Sequence, residues 1–174
     1  MIEFMQTDQV QLASKDYYKR AVEFIESIGI KIQFRTVAAD MCFVPGLQIE
    51  EGQIIVDQEK LKYPGDVLHE AGHIAVVSQM ERESLSGQEL GNRKDAPAEE
   101  MMAIAWSYAA CLHLGIPPEF VFHENGYRGG GASIVENFRN GRYFGVPMLQ
   151  WLKMAAAPGS QFPAYPAMLR WVRE

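Results

Sequence analysis

His69-Glu70-Ala71-Gly72-His73 is the stretch on which the reading of this chain turns. Residues four apart on an α-helix lie one turn apart on the same face. Two imidazoles at that spacing can reach one tetrahedral Zn²⁺. The glutamate beside them stands where a general base for a metal-activated water is needed. The chain has 4 histidines in 174 residues, and two of them occupy this pattern. Val67, Ala71, Ile74 and Val77 extend it as an apolar helical stripe. Pro64 suits the first turn of that helix, and Asp66 complements its positive end. Gly72 costs about 1 kcal/mol relative to Ala in a helix interior. A second backbone packed closely against it would account for the glycine.

Two histidines do not complete a catalytic zinc site, which wants three protein ligands and an open position. Gln79 stands six residues after His73, where a three-histidine arrangement would need another imidazole. A carboxylate from a second helix is the natural alternative. Asp95 caps a long apolar helix that begins near Pro97, and Glu99-Glu100 lies in its first turns. Glu100 is preferred, because it shares a face with Ala103, Ile104 and Ser107, and the small Ala103 could pack against Gly72. Glu99 points about 100° away. It is the first alternative, followed by Asp95 and His113.

The rest of the chain frames this pair of helices. Residues 14 to 28 read as a helix capped by Ser14 and ended by Gly29. Ile30, Ile32 and Phe34 alternate as a strand. A β region follows from Met41 to Val56, with a hairpin of Leu47–Ile49 against Ile54–Val56 about Glu51-Gly52. Residues 78 to 96 read as loop. After Gly115 and Pro117 comes a Gly-rich stretch, His123 to Gly131, read as a hinge or turn. Ser133 and Glu136 then form a capping box for a short helix ended by Gly141. Pro147–Ala157 and Ala164–Arg173 also read as helices, which makes Trp106, Trp151 and Trp171 core or interface residues. The expected fold class is α+β, with a small antiparallel sheet packed on the motif helix and further helices. Residues 1–174 read as a single domain in which 116–174 is a mostly helical C-terminal extension.

Bulk properties exclude some functions. Hydrophobic residues make up 48% and charged residues 22%, ordinary values for a soluble globule. The net charge of −6, with no basic run, disfavours nucleic acid as a partner. No apolar run approaches a membrane span and no signal peptide is evident, so the expected location is cytoplasmic. Cys42 and Cys111 read as buried free thiols, with a disulfide between them as the alternative. There is no G-x-S-x-G elbow and no Walker A loop.

A hairpin, an H-E-x-x-H helix and a later helix bearing a glutamate resemble the small gluzincin zinc metallopeptidases of the ImmA/IrrE type. The likeness covers roughly residues 30 to 115. It rests on Leu47–Val56, on His69-Glu70-Ala71-Gly72-His73, and on Glu100-Met101-Met102-Ala103 as an E-x-x-A element. The family often carries Asn or Asp after that alanine, where this chain has Ile104, and no helix-turn-helix module is appended. The resemblance implies a minimal zincin-like fold, a peptide or protein substrate, and zinc held by His69, His73 and Glu100 with Glu70 as catalytic base. It also implies pairing of an extended substrate with an edge strand of the hairpin. Such sites use a Tyr or His to steady the oxyanion, and His123, Tyr127 and Tyr143 are the candidates. A non-catalytic interaction protein on the same scaffold is the alternative reading, and the apolar C-terminal segments keep a homo-oligomer open.

Overall fold

The computed structural model describes residues 2–37 and 44–174, with the side chains of residues 2–10 outside the description. Cys42 and the start of the expected β region, Met41 to Phe43, therefore lie outside the described residues.

The chain opens with α1 (Ile2–Ser27). Ala21, Phe24 and Ile25 bury its inner face at helical spacing. Gly29, at φ +88°, ends it, and the Ile30 amide reaches back to the Ile25 carbonyl, closing a Schellman turn. Ser14 lies inside this helix rather than capping it. Nothing between residues 2 and 13 is a glycine or proline, so no breaker stops the helix from running upstream.

Three short strands follow: β1 (Ile32–Phe34), β2 (Leu47–Glu50) and β3 (Gln53–Val56). β2 and β3 form the expected hairpin, with Glu51 and Gly52 both at positive φ in the two-residue turn. The sheet order is β1-β3-β2, and β1 runs parallel to β3. The expected antiparallel sheet is thus a mixed one. Ile54, Ile55 and Val56 in central β3 are all buried, and a near-continuous apolar run is the mark of a strand covered on both faces.

Behind the sheet lie α2 (Asp66–Val76) and α4 (Ala96–Leu114), which pack chiefly on each other. α4 is buried continuously from Met102 to Cys111 and stops at Gly115, which has the left-handed φ of a C-cap. A Cβ on Gly72 would sit 3.0 Å from the Ala103 carbonyl oxygen and 3.3 Å from the Ala103 side chain. The helices approach closely at the two small residues. The 78–96 connection, expected as loop, contains α3 (Gln79–Arg82) and a single 3₁₀ turn at Leu90–Asn92.

The last third departs most from expectation. α5 (Gly131–Arg139) starts two residues before the expected Ser133 cap and ends before Gly141. A Cβ on Gly131 would lie 2.4 Å from the Phe122 carbonyl oxygen, so that backbone crossing fixes where α5 begins. α6 spans Val146–Trp151 and stops well short of Ala157, with Lys153 at φ +57°. Residues 164–173 are not helical. Pro166 removes a donor there, and the amides of Leu169 and Arg173 bond to Met154 and Ala75 instead. The expected mostly helical extension is therefore mostly irregular chain. Its Val121, Phe122, Val135, Phe138, Leu149 and Tyr165 join the same hydrophobic cluster as α1, α2, α4 and the sheet. Trp106 is fully buried and Trp171 packs edge-on against it, whereas Trp151 is 85% exposed rather than in the core.

The molecule is α+β: six α-helices and one three-stranded mixed sheet among the described residues. Among the described residues, no helix is long and apolar enough to cross a membrane. Cys111 is a free, buried thiol whose burial pushes its pKa up to about 12.

Candidate metal centre

α2 and α4 cross at Gly72 and Ala103, and the site lies beside that crossing. His69 and His73 stand one turn apart on α2, with their Nε2 atoms 3.1 Å from each other. Glu100 reaches across from α4, placing one carboxylate oxygen 3.5 Å from His69 Nε2 and the other 3.2 Å from His73 Nε2. For a tetrahedral ion with ligand bonds of about 2.0–2.1 Å, neighbouring donors stand about 3.3 Å apart. The closest approach of each pair falls near that value, with a different Glu100 oxygen facing each imidazole, and among the described residues these three side chains form a group able to hold a metal ion. The Nδ1 atoms of both histidines are buried and make no hydrogen bond.

Charge within the group is mutually arranged. Burial opposes a proton on His69, but the Glu100 hydrogen bond and carboxylate charge, with Glu70 and Asp66 behind them, outweigh it and raise the imidazole pKa. On Glu100 burial works in the opposite direction, upward. The contacts from His69 and His73 overcome it and hold the carboxyl well below the usual carboxylate range. The group thus favours an ionised oxygen donor facing two imidazoles.

The neighbouring glutamate has another partner. Glu99 is buried and receives a fork from Arg93, whose Nε and Nη2 donate at 2.7 and 2.9 Å. The same guanidinium also donates to Glu81. Asp95 begins α4 without a side-chain capping bond, and His113 packs on Phe24 and Trp171 at the far end of that helix. None of these three alternatives belongs to the group formed by His69, His73 and Glu100.

Glu70 is buried between two cavities. The polar one, ≈ 320 Å³, is walled by Asp66, His69, Glu100, His123 and Tyr127. Asp66 Oδ1 lies 3.0 Å from His123 Nε2, and the His123 ring stacks on Tyr63. Burial raises the Asp66 pKa against the pull of His123. Tyr127 sets its ring edge-on to His69 at 5.3 Å, and its hydroxyl is buried without a hydrogen-bond partner. Burial first, and then the carboxylates of Asp66, Glu100 and Glu70, raise that phenol's pKa well above its ordinary value, so it keeps its proton. Tyr143 is elsewhere, packed on Phe138 and Tyr165. The Gly-rich stretch brings in Tyr127 through a turn in which Tyr127 and Arg128 take positive φ.

The other cavity, ≈ 230 Å³, runs from Glu70 and His73 to the outer strand of the sheet. β2 is that edge strand, but the Ile49 carbonyl already accepts the Gly87 amide at 2.9 Å, and the Leu47 amide bonds to Val44. The segment after α3 therefore covers part of the edge that sequence reading left free. The Asp66–His123 pair was also missed. Asp66 read as a dipole partner, because nothing in the sequence ties it to a residue 57 positions on. No protein-family model matches the chain, and comparison with curated proteins and with solved structures gives no match.

Proposed function

We propose that this chain is a zinc-dependent peptidase on a zincin-like scaffold, with His69, His73 and Glu100 as ligands. The observation that carries the reading is the convergence of two imidazoles and a carboxylate from α2 and α4 beside a buried Glu70. Their spacing fits a tetrahedral ion, and a two-imidazole, one-carboxylate set leaves an open position. Zinc held there supplies Lewis acidity, lowering the pKa of water and polarising a carbonyl.

The residues of the chain do the remainder. Glu70 takes a proton from the attacking water as its oxygen bonds to the carbonyl carbon. It then delivers that proton to the amide nitrogen as the C–N bond breaks, leaving a carboxylic acid, which passes its proton to the released amine to give a carboxylate and an ammonium. Tyr127, neutral and unpartnered, donates to the oxyanion that forms between these steps. Asp66 holds His123 on the same wall. A purely structural metal site needs ligands and no base, so a buried Glu70 favours catalysis over a non-catalytic interaction protein.

Glu70→Gln is expected to retain metal and lose hydrolysis of a peptide library, and metal lost with activity would contradict the role given to Glu70. Tyr127→Phe should lower kcat by on the order of 10²-fold with metal content unchanged. A kcat equal to that of the wild type would remove Tyr127 from the mechanism.

A further inference from the structure

The cavity on the His73 side differs in chemistry from its neighbour. Its walls are Val44, Leu47, Ile49 and Leu90, with the half-buried Gln48 as an uncharged polar neighbour, closed by Gly87 and Gly91, and it opens onto Glu70 and His73. Leu47 and Ile49 are buried, so the floor is fixed by the sheet. Among the described residues, no lysine, arginine, aspartate or second glutamate lines it. Its ≈ 230 Å³ exceeds the roughly 150 Å³ that suffices to hold benzene in an apolar cavity. Glu70 stands at the junction of this apolar cavity and the polar one.

Main-chain pairing cannot supply all the grip on a substrate here, because Gly87 occupies the Ile49 carbonyl on the β2 edge. A side-chain pocket adjoining the reacting centre is the remaining means of selection. We infer that this cavity is a specificity subsite that receives one leucine- to phenylalanine-sized apolar side chain flanking the bond to be cut. The inference rests on the peptidase reading and deepens it, since it names the substrate class as peptides with an apolar residue on one side of the scissile bond. A charged side chain placed there would lose its water without gaining a partner.

Gly91 provides the test. A Cβ at this position meets nothing within 4 Å and its φ is ordinary, so a larger side chain can be added at the pocket wall without a clash. The zinc-loaded chain is incubated with a mixed peptide library, and the cut sites are read by mass spectrometry. Leu, Ile, Met and Phe should be favoured at one flanking position over Asp, Glu and Lys by about tenfold or more. In Gly91→Phe that preference should shift towards Ala and Gly. In Leu90→Ala, which enlarges the pocket, it should extend to Trp. Cleavage with no apolar preference, or a preference that neither variant moves, overturns the subsite alone. Failure of the zinc-loaded wild type to cut any peptide overturns the peptidase reading and the subsite with it.

Discussion

Glu99 and Glu100 differ by one position and by about 100° around α4, and that rotation gives them different partners. Glu99 closes a buried fork with Arg93, while Glu100 faces the two imidazoles. Their alanine variants should therefore fail in different ways. Glu100→Ala is expected to weaken metal binding sharply while leaving the fold intact. Glu99→Ala should keep the metal and cost about 2 kcal/mol, because Arg93 loses its main acceptor. In a domain of this size that is roughly 4–8 °C in Tm. Metal titration and thermal unfolding of both variants check the assignment, and an exchange of the two phenotypes would reverse it. At this scale the sequence was legible where helical periodicity places side chains, as for His69, His73 and Glu100. Tyr127 and His123 could be named as candidates but not ranked. Their positions depend on a turn with positive φ at Tyr127 and Arg128 and on a contact with Asp66, which no local pattern encodes.

The crossing of α2 and α4 sets the geometry of the site, and Gly72 against Ala103 sets the crossing. Small residues at this point let the backbones come close enough for a short glutamate side chain to span the gap. Gly72→Val should cost about 1–3 kcal/mol through overpacking and force the helices apart. Because Glu100 rides on α4, the same change should weaken metal binding more than the stability loss alone explains. Native metal affinity in this variant would show that the crossing does not position the ligand. This closeness was foreseeable from a glycine inside a helix followed by an alanine on another. The strands and helix ends were less so. The β1–β3 pairing is parallel and the α6 helix is short because of backbone bonds made to distant residues. Periodicity in one segment cannot reveal such bonds.

Across the whole molecule, the irregular C-terminal chain braces α2, the helix that carries His69 and His73. The Arg173 amide donates to Ala75, its guanidinium to Val76, and Arg82 donates to Ile74, Val77 and Arg173. These bonds satisfy carbonyls left open at the end of α2 and set positive charge at its negative pole. Trp106 Nε1 donates to the Trp171 carbonyl, and the Tyr165 hydroxyl to Ala105 on α4. Ending the chain at residue 164 should lower stability by more than about 3 kcal/mol, read from the urea midpoint. It should also increase amide exchange at the C-terminal end of α2. An unchanged midpoint would mean that the tail only decorates the surface. The measurement that bears most directly on the account is the zinc content of the purified chain after zinc is supplied and unbound metal is removed. About one ion per chain is expected for the wild type and for Glu70→Gln, with little in Glu100→Ala. A wild-type chain that holds no zinc under those conditions would contradict the account.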